Sequence, residues 1–339
     1  MKIIHLSHTD LDGYACQFIT NFYLKNVKFY NSNYGKEIDE KFNQILEFIG
    51  DDEAVVLITD LNLTPNQCQI YENLIKDKQI KLILLDHHQS GLECMNKFDW
   101  YFLDSSRCAT KIVYDFFSSI YGQNEQISKF AKVVNAVDIW LKDDDYFELG
   151  KVCMNAIAAA KEINKVMFED EHIKYLFYLM SKFSEFIDTN NAHIALDNAI
   201  HNIKKDFFKS SQDDTLSNLI SAYLVALLSA NKDEFSIFYG DFKGILTHNI
   251  GSTSVIGNDF LLANPEFDFF IDVTSKKTLS FRANGKVDVS QMAKNLVGGG
   301  GHINASGGFF TNFKDGFNYS LIKAQIVELI DKKTKDKNE

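Results

Sequence analysis

The chain has 339 residues, more than one hydrophobic core usually supports, so two domains are the starting expectation. With 45% hydrophobic and 24% charged residues it has a soluble globular composition, and a net charge of −11 argues against binding long duplex nucleic acid, whose phosphates need Lys and Arg. No run reaches the roughly 18 apolar residues that cross a bilayer, the N-terminus does not read as a secretory signal, and five scattered cysteines lack any Cys-x-x-Cys; a cytoplasmic protein is expected, with no membrane partner, disulfide framework or cysteine zinc site.

The first 148 residues alternate short apolar runs with amphipathic ones. Residues 2–6, 27–30, 54–58 and 80–85 read as strands and 14–25, 37–48 and 65–76 as helices, which predicts an α/β fold with a parallel sheet covered on both faces. Thr64 before Pro65 gives the third helix its start signal. Ligands of such sheets sit beyond the carboxyl ends of the strands. Strand 2–6 runs into His8, Asp10 and Asp12 before Gly13. A spacing of two in extended chain turns three metal-type donors to one side, although Asp and Gly also build ordinary polar loops. Strand 54–58 ends in Thr59-Asp60 and strand 80–85 in Asp86-His87-His88. A single Asp after a strand is ordinarily a cap, and paired histidines can simply be exposed. Their coincidence at three strand ends points to a divalent metal site, and carboxylates beside imidazoles suit manganese.

Asp138 falls in a helical run over 128–141, between Val137 and Ile139, where burial would require a partner such as a metal; pointing outward is the alternative. Asp143, Asp144 and Asp145 read as a solvated acidic loop. Residues 149–231 read as a helical connector, with His172, His193 and His201 at no ligand spacing. Short strands near 235–239, 243–246, 267–273 and 278–283 and a closing helix over 319–331 predict a smaller mixed-sheet α/β domain over 232–339, with 332–339 frayed. Within it, Gly298 to Gly301 before His302 reads as a loop whose freed backbone, notably Gly299, Gly300 and Gly301, forms an anion nest, His302 adding a donor; a flexible linker is the alternative.

Ser7-His-Thr-Asp-Leu-Asp-Gly13, Thr59-Asp60, Asp86-His-His88 and Gly298-Gly-Gly-Gly-His302-Ile-Asn-Ala-Ser-Gly307 together resemble the DHH–DHHA1 phosphoesterases, a group that includes nanoRNases, pAp phosphatases, RecJ exonucleases and cyclic-dinucleotide phosphodiesterases. The resemblance implies a DHH catalytic domain over 1–148, a DHHA1 substrate-binding domain over 232–339, and two divalent ions, usually Mn2+. It implies that His8, Asp10 and Asp60 hold one ion and Asp12, Asp60, His87 and Asp138 the other. His88 would face the substrate phosphate, Asp86 would orient the histidines, and Arg282, Gly299, Gly300, Gly301 and His302 would grip phosphate. The activity so implied is hydrolysis of short oligoribonucleotides or small nucleotides to 5′-mononucleotides by a hydroxide activated between the metals. Cyclic mono- or dinucleotides and pAp are alternative substrates, and inorganic pyrophosphatase and a non-catalytic nucleotide sensor are more distant readings. Members of the family are often homodimers through the catalytic domain.

Overall fold

A computed structural model describes residues 1–335. The chain forms two compact units, Met1–Ala160 with Ile173–Ile203, and Lys161–His172 with Lys204–Glu339. The stretch 149–231 expected as a connector is therefore divided between the two units.

In the first unit, β1 (Lys2–Ser7), α1 (Leu11–Tyr23), β2 (Val27–Asn31), α2 (Lys36–Ile49), β3 (Ala54–Thr59), α3 (Pro65–Ile75) and β4 (Ile80–Asp86) follow the expected alternation. The chain continues through α4 (Leu92–Met95), β5 (Tyr101–Leu103), α5 (Ala109–Tyr121), α6 (Glu125–Asp138) and α7 (Phe147–Ala158). The five strands pair in parallel in the order β2-β1-β3-β4-β5. The strands read as near-continuous apolar runs because helices cover both faces. Ile4, Leu6, Val56, Ile58, Leu82 and Leu84 pack with Ile38, Phe42 and Ile45 of α2, while Leu57 and Leu85 on the other face pack with Ile19 of α1 and Val113 and Phe117 of α5. Each such fully buried side chain contributes about 2 kcal/mol.

The chain passes between the units after Ala160, within α8 (Glu169–Ser184) and within α9 (Ala192–Phe208). The second unit contains α10 (Leu216–Ala230), α11 (Lys232–Phe235), β6 (Ser236–Tyr239), β7 (Phe242–His248), α12 (Thr253–Ala263), β8 (Phe269–Val273), β9 (Thr278–Ala283), α13 (Val289–Val297), β10 (Gly300–His302), β11 (Ala305–Phe309) and α14 (Tyr319–Lys335). Its six-stranded sheet runs β10-β11-β9-β8-β7-β6, mixed because β7 and β8 are parallel and the other pairs antiparallel. The α/β architecture, one parallel and one mixed sheet with helices between, is the one expected.

Three local expectations change. The donors after β1 do not lie along a strand: β1 stops at Ser7, Asp10 caps α1 by accepting from the Gly13 amide at 3.0 Å, and Asp12 belongs to the first helical turn. The glycine run is not an open loop. Gly298 ends α13 in the left-handed conformation and Gly300–His302 forms the edge strand of a hairpin with β11. Residues 332–335 continue α14 instead of fraying, while the rest of that expected frayed stretch, 336–339, lies outside the described residues.

Candidate metal centre

The carboxyl ends of β1, β3 and β4, with the end of α6, bring together the donors expected from the first 148 residues. Gly13 makes the β1 end possible: a Cβ there would lie 2.4 Å from the His8 carbonyl oxygen, so only glycine lets the His8 backbone lie against the start of α1. Asn31 Nδ2 donates to that same carbonyl at 2.9 Å and fixes the turn from β2. Asp12 is fully buried, and its two carboxylate oxygens each accept a 2.8 Å hydrogen bond, from the amides of Ala109 and Thr110 at the start of α5.

Asp60 follows β3 in the left-handed region, φ 54°, which Asp tolerates better than most residues, and is 2% exposed. It stands between two imidazoles. His8 Nδ1 lies 3.6 Å from Asp60 Oδ2 and 2.9 Å from Asp10 Oδ2, while His87 Nε2 lies 3.4 Å from Asp60 Oδ1, 3.8 Å from Asp12 Oδ2 and 3.6 Å from Asp138 Oδ2. Asp138 is the last residue of α6, and its side chain, 24% exposed, faces His87. Asp86, fully buried, accepts from Tyr101 Oη at 3.2 Å and lies 2.7 Å from His88 Nδ1.

The donor set fits divalent cations. Asp60 Oδ2 is buried without a hydrogen-bond partner, a cost that a metal bond would remove. Burial, then the charge of Asp12, pushes the Asp60 carboxyl well above the usual range, and the same two causes push Asp138 up to about 8. Burial alone would lower His8, but Asp10 and Asp60 raise it to about 10. The carboxylates thus favour positive charge at this position, whether a proton on His8 or a bound cation that displaces it. His8, Asp10 and Asp60 form one cluster of donor atoms and Asp12, Cys108 and Asp138 another, each within 4.8 Å, and Asp60 also clusters with Asp86, His87 and His88. This is the arrangement in which Asp60 could serve two ions.

Two residues here escaped the sequence reading. Tyr34, between β2 and α2, packs its ring 4.7 Å from that of His8 and sets its hydroxyl 3.3 Å from His88 Nε2. The rule that flags carboxyl strand ends would have found it had it been applied to β2. Cys108 gave no local signal because its place beside Asp12 and Asp138 is tertiary.

The candidate phosphate residues lie in the second unit. Arg282 on β9 and His302 on β10 both pair with Ala305 of β11, so their side chains leave the same face of the sheet from backbones about 10 Å apart. Arg282 Nη2 donates to Ser254 Oγ at 2.5 Å. A Cβ on Gly299 would meet the Gly307 carbonyl at 2.2 Å and one on Gly301 the Ala305 carbonyl at 2.6 Å, so these two glycines serve the hairpin's own packing; Gly300 faces open space.

No family model matches the chain. It is similar over 97% of its length, at 42% identity over 343 residues, to the 3′,5′-cyclic-nucleotide phosphodiesterase of Helicobacter pylori (strain ATCC 700392 / 26695), of which it covers 99%. The crystal structure of an uncharacterized protein from Helicobacter pylori G27 matches with a TM-score of 0.89 at 41% identity, covering 98% of this chain and 99% of that one. An exopolyphosphatase-related protein from Bacteroides fragilis matches at 14% identity with a TM-score of 0.32, too low to bear on fold or activity.

Proposed function

Because the chain belongs to the family of the Helicobacter pylori 3′,5′-cyclic-nucleotide phosphodiesterase, we propose that it is a metal-dependent phosphodiesterase of small nucleotides, with 3′,5′-cyclic mononucleotides as its first substrates. The named activity of that relative moves the cyclic reading ahead of short oligoribonucleotides, which remain an arm of the test. The observation that carries the reading is Asp60, buried, with an unpartnered oxygen, and set between His8 and His87.

His8, Asp10 and Asp60 would hold one divalent ion and Asp12, Asp60, His87 and Asp138 a second, with manganese the first choice. Ions so held supply Lewis acidity that readies water as a nucleophile at neutral pH and offsets phosphoryl charge. The chain's own residues do the rest. The hydrogen bond that His88 donates to Asp86, with the charge of that carboxylate, raises the His88 pKa against the opposing effect of burial and so favours the protonated imidazole, the form that can donate to a phosphoryl oxygen. Tyr34 borders His88 Nε2 and keeps the ring turned toward that position. Within the second unit, Arg282 and His302 would be donors to phosphate. A chain with these residues needs no covalent nucleophile. The membrane plays no part in this reading, and no helix among the described residues is long and apolar enough to cross one.

The test is a panel of manganese-loaded protein against 3′,5′-cyclic AMP and GMP, 2′,3′-cyclic mononucleotides, cyclic-di-AMP, pApA, pAp and pyrophosphate, each with and without EDTA. Hydrolysis of 3′,5′-cyclic mononucleotides that EDTA abolishes is expected. Preference for pApA would restore the oligoribonucleotide reading, and no turnover of any phosphoester would leave a binding protein.

A further inference from the structure

We propose that the ion held by Asp12, Asp60, His87 and Asp138 is also bound through the sulfur of Cys108, so that this position, though it admits manganese, binds a thiophilic divalent ion of the zinc type more tightly. The inference rests on the metal-centre reading above and assigns it one more donor and a different selectivity at one of its two positions. The Cys108 sulfur and carboxylate oxygens of Asp12 and Asp138 all lie within 4.8 Å of one another. Around a tetrahedral ion with oxygen at about 2.1 Å and sulfur at about 2.3 Å the donors stand about 3.6 Å apart, so side-chain rotation must close the set by up to about 1 Å. His87 Nε2 lies 3.8 Å from Asp12 and 3.6 Å from Asp138, so sulfur, nitrogen and oxygen donors all border the same two carboxylates. Zinc accepts that mixture, whereas manganese and magnesium favour oxygen. The cluster of His8, Asp10 and Asp60 has no sulfur, so the two positions should differ in preference.

Cys108 is held for this role by its surroundings. Its amide donates to Asn135 Oδ1 at 2.9 Å, and the next two amides, of Ala109 and Thr110, bind the Asp12 carboxylate, so sulfur and carboxylate are fixed by one helix start. The thiol is fully buried, and Asp138, with its side chain 24% exposed, gives the cluster its access to solvent. On binding, the S–H bond breaks, the proton leaves to solvent and the sulfur–metal bond forms, with no change in oxidation state.

Cobalt(II), a spectroscopic stand-in for zinc, tests this on the full-length metal-free chain. Titration should give visible d–d bands together with a near-ultraviolet sulfur-to-cobalt charge-transfer band. Cys108→Ser should keep the d–d bands and lose the charge-transfer band, and its cadmium affinity should fall at least about tenfold with manganese affinity changing less. Visible bands in the wild type without the charge-transfer band would overturn the inference and leave the metal centre standing; no cobalt binding at all would overturn both. Should Cys108→Ser fail to fold, the wild-type spectrum decides the matter alone.

Discussion

The two regions that carry the expected site residues are built in opposite ways. In the first unit Asp12 and Asp60 are buried, and the donors are held by a network: Asp12 by two amides of α5, the His8 turn by the Asn31 side chain and Gly13, and His88 by the Asp86 carboxylate. In the second unit His302 sits exposed on an edge strand, and Arg282 reaches out from β9 to Ser254. A metal centre needs donors held to a few tenths of an ångström before the ion arrives. Phosphate contacts tolerate donors that adjust to the ligand. The contrast teaches that chemistry and substrate choice should separate under mutation, the first unit governing turnover and the second affinity.

The largest effect is expected from Asp60→Asn. Losing the carboxylate set between His8 and His87 should cut turnover at least about 10²- to 10³-fold. Because burial and Asp12 hold that carboxyl above its usual range, the fold is relieved of a costly charge, and the metal-free melting temperature should not fall. A variant with near-normal turnover would break the comparison at its root. Next comes Gly13→Ala, whose Cβ would collide with the His8 carbonyl. It should cost about 1–3 kcal/mol in denaturant titration and weaken metal binding in calorimetry. Arg282→Ala should act on the other side, raising KM about tenfold with little change in kcat or in metal-induced stabilisation. An equal loss in kcat would place it in the chemistry instead.

Acid stability probes the core of the second unit. Burial lowers His172 from its ordinary 6.5 to about 4, with its Nδ1 2.9 Å from the Ile163 carbonyl. As pH falls through about 6.5 the unfolded chain takes up a proton on this residue that the folded chain refuses until about 4. Stability should therefore drop across that window, by up to about 3 kcal/mol, and His172→Gln should flatten the drop in urea titrations. The smallest effect is expected at Gly300, where Ala meets open space and should shift the melting temperature little, while Gly299→Ala should disrupt the hairpin and melt several degrees lower.

The alternation of β1 to β4 with their helices was legible in the sequence because buried parallel strands leave continuous apolar runs. His8, Asp60 and the His87-His88 pair were legible because each follows such a run. β5 and α5 were not. β5 has only three residues, and α5 starts at Cys108, a poor cap by itself, because Asp12, far away in sequence, supplies the anion that its first amides need. The same long-range bond hid Cys108 from any motif. Gly298 to Gly301 concealed its local structure for a related reason: a run of glycines looks the same in an open loop and in an edge strand, and only the pairing with β11 tells them apart. His172, at no ligand spacing, is a buried histidine with its Nδ1 2.9 Å from the Ile163 carbonyl.

The most direct measurement is a calorimetric manganese titration of metal-free wild type beside Asp60→Asn. A carboxylate shared between the His8 and His87 clusters predicts two ions per wild-type chain and the loss of both in the variant. Two ions bound with unchanged affinity by Asp60→Asn would contradict it.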